Sequence, residues 1–197
     1  MVTITQQRVI SSPTVLRANQ LKALLAAPDK RTKRGRRDAA LIAVLGCGGL
    51  RLGEATRLLV ENVELAQRVR LTTRTAKSRG LRFRTVSLPS IAARLLRDHL
   101  AHSEPRLFVF EGRRREALST RQARRIVKAY LRQIGCGWAR PHSLRHSLGA
   151  MATRATGNIY ATQRVLGHAS PDTTAKFYSA WDTTDADKVA DAIEHML

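Results

Sequence analysis

At 197 residues the chain is long enough for one well-buried core and short for two, which predicts a single domain. Its 35 lysines and arginines against 15 acidic residues give a formal charge of +20 spread through the chain, so the expected partner is a polyanion, nucleic acid ahead of an acidic membrane. No apolar run approaches the roughly 18 residues of a membrane span and no secretory leader core opens the chain, which predicts a cytoplasmic protein, nucleoid-associated when bound to DNA.

Residues 1–13 are polar and β-prone, ending in Ser11-Ser12-Pro13, and predict a short tail or arm. Leu21, Leu24 and Leu25 share one face of a helix from about Arg17 to Ala27, stopped by Pro28-Asp29. The run from Lys30 to Arg37 is either a solvated loop or a phosphate contact, with candidates at Arg31, Lys33, Arg34, Arg36 and Arg37. A second helix, about Asp38 to Leu45, is nearly all apolar and predicts a buried element ending in Gly46, Gly48 and Gly49. Helical spacing resumes with Arg51, Leu52, Glu54, Ala55, Leu58 and Leu59. Alternation in Val69–Thr73 and Leu81–Leu88 then predicts two strands around a basic turn, Ala76-Lys77-Ser78-Arg79-Gly80. That unit is a hairpin presenting cations, with Arg79 and Arg82 as further phosphate contacts.

A helix from Ile91 to about His102 and a short strand at Leu107–Phe110 follow. Ser119 and Gln122 fit a capping box, and the helix they open runs to Gly135 and carries Arg121, Arg124 and Arg125 as further DNA-contact candidates. The remaining helices are predicted at about Ser143–Thr156, Ile159–Leu166, Pro171–Ser179 and Asp185–Met196. The fold class is mainly α with a small antiparallel β-sheet, α+β. Cys47 and Cys136 have neither metal-ligand spacing nor a secretory context and are expected to pack as small apolar groups.

One series carries chemistry. His142-Ser143-Leu144-Arg145 is followed by Leu166-Gly167-His168 and, ten residues on, by Tyr178. A phenol with a pKa of about 10 attacks only where cations stabilise charge growing on a phosphate. Arginine matches phosphate bidentately, and imidazole moves a proton near neutral pH. By itself Tyr178 would be a core residue; with its neighbours it predicts a phosphodiester-cutting site. His142 and His146 are spaced as a helical metal pair, but with no third ligand and no acidic cluster no metal is expected, and no glycine-rich nucleotide loop points to a cofactor.

Four motifs in order resemble the catalytic domain of tyrosine recombinases, the phage-type integrases: Gly49-Leu50-Arg51-Leu52-Gly53-Glu54, Lys77 in its hairpin before Arg84–Leu88, His142–His146, and Leu166-Gly167-His168 through Phe177-Tyr178. The resemblance spans about residues 14 to 180 and implies the tyrosine recombinase catalytic-domain fold. It further implies that Tyr178 forms a 3′-phosphotyrosyl link, that Arg51 and Arg145 clamp the phosphate, and that Lys77 protonates the leaving 5′-oxygen. His142 would move a proton with Tyr178, His168 would donate a hydrogen bond, and Glu54 would orient its neighbours. The chemistry so implied needs neither metal nor ATP. Expected partners are double-stranded DNA, further copies of the chain in a tetrameric synapse, and an accessory DNA-binding protein. Residues 14–183 are expected to form one catalytic domain with no separate N-terminal core-binding domain, and residues 184–197 a C-terminal helix able to pack on a neighbouring protomer. A nicking-closing enzyme of the type IB topoisomerase kind and a non-catalytic DNA-binding regulator are the alternative functions.

Overall fold

Helix α2, Lys33–Gly46, organises the architecture. Every residue from Asp38 to Gly46 is buried, and a helix apolar all round must be covered all round. Helices α1 (Ala18–Ala26), α3 (Leu52–Thr56), α4 (Ser90–Ser103), α5 (Thr120–Gln133) and α6 (Pro141–Thr156) all pack against it. The structure is a computed structural model and describes residues 15–75, 82–156, 166 and 183–197. The predicted tail, the basic turn and the helices expected at Ile159–Leu166 and Pro171–Ser179 lie outside those residues, apart from Leu166 itself.

Several boundaries differ from those the sequence predicts. The basic run is not all loop, because α2 begins at Lys33, where the Thr32 hydroxyl accepts from the Gly35 N–H at 2.9 Å. Gly35 is required there, since a Cβ would lie 1.9 Å from the Asp29 carbonyl oxygen. Apolar periodicity marks the buried part of a helix and the cap marks its start, so reading the pattern alone placed the start too late. Beyond α2 the expected long helix stops at Thr56. Leu58 and Leu59 instead run extended beside Leu107–Val109, with Val109 N–H donating to Leu58 O at 2.8 Å and Leu59 bridging Phe108. The strand expected at Leu107–Phe110 is therefore an isolated bridge rather than part of the sheet.

The sheet has three antiparallel strands in the order β1 (Val63–Leu65), β2 (Val69–Thr75), β3 (Arg82–Ser87). Strand β1 was not predicted, being too short for alternation to show. Leu71 pairs with Val86 and Thr73 with Arg84, which turns Leu71, Thr73, Arg84 and Val86 inward and leaves Phe83 outside, 52% exposed. Ser119 caps α5 by accepting from Gln122 N–H at 3.2 Å, without the reciprocal half of the expected box.

Helix α7, Thr183–Glu194, packs on α6 and β3 of its own chain, burying Val189, Ala190 and Ile193. Its acidic side meets the sheet: Asp187 accepts from Arg70 at 3.0 Å and from Ser87 Oγ at 2.5 Å, and Asp191 pairs with Arg68 at 2.6 Å. Both cysteines are free and buried, and burial, with Glu194 nearby, pushes the Cys47 thiol up to about 12. His99 is buried between the Val109 carbonyl at 2.8 Å and the Ser103 hydroxyl at 3.0 Å, stacked on Phe110. Burial holds its pKa below the ordinary value.

Candidate active site

The chain leaves α2 through Gly49, whose φ of +63° suits a residue without a Cβ, and whose missing Cβ would lie 2.7 Å from both Leu148 and Leu166 side chains. This turn delivers Arg51 as the N-cap of α3. Glu54, one turn on, reaches back: its Oε2 accepts from the Arg51 backbone N–H at 2.7 Å and its Oε1 from Arg51 Nη1 at 2.8 Å. From β3, Arg84 donates to the same carboxylate at 2.7 Å. One carboxylate thus holds two guanidinium groups.

Arg84 is 1% exposed and its Nε has no partner among the described residues. Burial and then the like charge of Arg51 lower its pKa, against the pull of Glu54. Burial alone would raise the Glu54 carboxyl; the charge of Arg84 and the hydrogen bonds from Arg51 outweigh it and hold that carboxyl low.

Helix α6 supplies the rest. Arg145 is 1% exposed and donates through its two terminal nitrogens to the carbonyls of Gly49 and Leu166. Burial first, then Arg84 and Arg51, bring it down to about 9, so it stays charged at neutral pH. His142 lies three residues earlier at the exposed start of α6, its ring edge-on to His146 at 4.3 Å. Partial loss of solvent, then the charges of His146, Arg145 and Arg51, lower its pKa, so the neutral ring predominates at pH 7. The two arginines expected as a matched clamp are placed differently: the Arg51 side chain keeps 30% of its surface in solvent, whereas Arg145 is enclosed.

The structure therefore brings Arg51, Glu54, His142 and Arg145 together. Lys77, Arg79, His168 and Tyr178 lie outside the described residues, and Arg82 is placed as the first residue of β3. Sequence reasoning missed Arg84 as a site residue. The signal was there, because alternation puts it on the same strand face as Val86, and an inward arginine requires a carboxylate. Of the other basic candidates, Arg31 is held by Asp29 at 2.9 Å, Arg36 donates to the Lys30 carbonyl at 2.6 Å, and Arg37 pairs with buried Asp38 at 2.7 Å. Lys33, Arg34, Arg121, Arg124 and Arg125 are exposed. Among the described residues no cluster of three or more His, Cys, Asp or Glu side chains is placed to hold a metal ion, and no helix is long and apolar enough to cross a membrane.

Comparison with known proteins bears on the same segment. The tyrosine recombinase XerD of Neisseria meningitidis serogroup B is 33% identical over 169 residues, covering 82% of this chain and 57% of that protein. The tyrosine recombinase XerC of Pelotomaculum thermopropionicum is 31% identical over 79% of this chain and 54% of its own length. The chain thus spans little more than half of these relatives. Among solved structures, the XerA recombinase superposes with a TM-score of 0.70 at 22% identity over 94% of this chain and 65% of that one, a likeness of fold. The XerH site-specific recombinase, in a post-cleavage complex with a palindromic difH substrate, gives a TM-score of 0.70 at 25% identity over 84% of this chain and 49% of its own. The family model for the phage integrase family matches residues 14–184, which include both arginine boxes and Tyr178, and the chain belongs to that family.

Proposed function

We propose that the chain is the catalytic unit of a site-specific DNA recombinase that cuts and rejoins strands through a phosphotyrosine intermediate. The observation that carries this is the convergence, from α3, β3 and α6, of three arginines, two of them bonded to the single carboxylate of Glu54, with a neutral imidazole at the rim. So much positive charge on so little acid is stabilised by an anion whose charge increases during reaction, as a phosphorane's does. Buried guanidinium N–H groups without partners among the described residues, on Arg84 and Arg145, add to that demand.

In the reaction the Tyr178 oxygen attacks phosphorus, and its proton passes to His142. The bond from phosphorus to the 5′-oxygen breaks, and Lys77 gives that oxygen a proton. Arg51 meets the non-bridging oxygens from the solvent side and Arg145 sets the floor of the site, with His168 as a further donor and Glu54 holding Arg51 in place. Reversal with a different 5′-hydroxyl joins exchanged strands. The energy of the broken phosphodiester stays in the phosphotyrosine, so no ATP is needed, and the guanidinium groups fill the place that metal ions take in other phosphoryl-transfer sites. Residues 14–183 form the catalytic unit, working on double-stranded DNA in the cytoplasm as a tetramer on two duplexes, with an accessory DNA-binding protein where one is required. The α7 helix can trade its cis seat for the equivalent one on a neighbour.

The test is covalent trapping on nicked suicide DNA in EDTA, resolved on a denaturing gel. An adduct from the wild type and none from Tyr178→Phe is expected; no adduct on DNA demonstrably bound would overturn the catalytic role.

A further inference from the structure

Helix α7 carries its acids in register. Asp187, Asp191 and Glu194 follow one another at i, i+4 and i+7, a spacing that puts all three on one side of the helix, apart from the buried stripe of Val189, Ala190 and Ile193. Each has a fixed partner. Asp187 accepts from Ser87 Oγ and from Arg70, Asp191 from Arg68, and Glu194 from the Ser90 backbone N–H at the start of α4. Two of these bonds bracket the end of β3, at Ser87 and at Ser90.

The Asp187 contact differs from the other two. Arg70 and Ser87 are directly opposite each other in the ladder of β2 and β3, so the two oxygens of one carboxylate bond to one strand each, at 3.0 Å and 2.5 Å. Among the described residues β3 is an edge strand, paired with β2 alone. A carboxylate bonded across the end of such a ladder resists both peeling and sliding of the edge strand. Burial would raise the Asp187 carboxyl; the hydrogen bonds from Ser87 and Arg70 outweigh it and hold that carboxyl low, so it is charged at neutral pH. Three residues back along β3, about 10 Å from this staple, Arg84 turns inward and donates to Glu54. Glu54 in turn accepts from the backbone N–H and the guanidinium of Arg51. A chain of bonded groups therefore runs from the C-terminal helix to the most exposed arginine of the cluster.

We infer that Asp187 is a positioning residue for the proposed cutting reaction: by stapling the end of β3 to β2 it fixes where Arg84 stands and, through Glu54, where Arg51 meets the phosphate. Its effect passes wholly through protein groups, and it acts on rate rather than on binding. The inference rests on the recombinase reading above and adds to it a residue outside the four motifs.

The test is the single-turnover rate of adduct formation on suicide DNA at saturating protein, with an ordinary scissile phosphate and with a methylphosphonate in its place. Replacing one non-bridging oxygen by methyl removes the charge that Arg51 answers, so a defect caused by a misplaced Arg51 shrinks on the neutral substrate, whereas a general loss of folded protein does not. Asp187→Asn is expected to slow cutting of the ordinary phosphate by on the order of tenfold to a hundredfold, and that of the methylphosphonate by about twofold or less. Ser87→Ala frees β3 while leaving Arg70 its carboxylate; it is expected to follow Asp187→Asn, and it carries the test if that variant does not fold. Asp191→Asn takes a charge from the same helix without touching β3, and is expected to stay within about twofold of the wild type on both substrates. Equal loss on the two substrates, equal loss in Asp191→Asn, or a wild-type rate beside a lowered melting temperature would each overturn the positioning role. An Arg51→Ala defect that persists undiminished on the methylphosphonate refutes this inference and leaves the cutting reaction standing, whereas a wild type that forms no adduct on bound DNA refutes both.

Discussion

Arg84 is enclosed by the sheet, and among the described residues its side chain meets a single carboxylate, that of Glu54. Replacing it by methionine leaves Glu54 buried with Arg51 as its remaining partner, and breaking one side of a buried pair costs about 3–5 kcal/mol. Arg84→Met is therefore expected to lower the melting temperature and to slow adduct formation through misplacement of Arg51. Adding Glu54→Gln should recover part of the stability and none of the rate; full recovery of rate would show that the pair does not position Arg51. His142 supplies a pH test. Because its ring is held neutral below the ordinary histidine range, the plateau of adduct formation should extend below about pH 6.5, and a half-loss at that pH would remove His142 as proton acceptor. Arg51, His142 and Arg145 were legible in the sequence because each sits in a motif of fixed order. Arg84 was not, because an arginine in a cationic hairpin looks solvated until strand register turns it inward.

Among the elements, α2 shows what periodicity can and cannot say. Its burial was legible from composition alone, while its start depended on one threonine hydroxyl and on a glycine pressed against a carbonyl. Its exit depends on Gly49. Gly49→Ala forces a Cβ into a left-handed residue and against Leu148 and Leu166, for an expected loss of about 1–3 kcal/mol in urea unfolding. It also shifts the carbonyl that receives Arg145, so activity should fall further than stability. On α4, folding keeps His99 neutral. Its folded pKa lies below its unfolded value, so stability is full above about pH 6.5 and declines as pH falls below it, the unfolded chain taking up the proton first. Urea midpoints at about pH 7.5 and about pH 5.5 should differ less in His99→Leu than in the wild type. Helix α7 was legible as an amphipathic stripe. Its acidic side was not recognised as the counterpart of Arg68 and Arg70, because pairing across more than a hundred residues leaves no local pattern.

At the scale of the molecule, charge was the first thing legible and the least local. The excess of cations pointed to a polyanion before any element was assigned, but it could not say which cations are already committed to carboxylates. The structure sorts them: Arg31, Arg37, Arg68, Arg70 and Arg84 are answered within the chain, whereas the Lys33 and Arg125 side chains have no ion pair among the described residues. The fold class was legible because helical and alternating patterns occupy separate stretches; the three-residue strand escaped because it has too few residues to show a period, and the short strand read at Leu107–Phe110 proved to be a single bridge. The tether from Arg145 to the carbonyls of Gly49 and Leu166 reaches beyond geometry. It fastens the turn before Arg51 to the segment around Leu166, so the arginine cluster is complete only when both have closed on α6. A nascent or partly melted copy has no assembled cluster, and on the proposed reading it cannot cut DNA until it is whole.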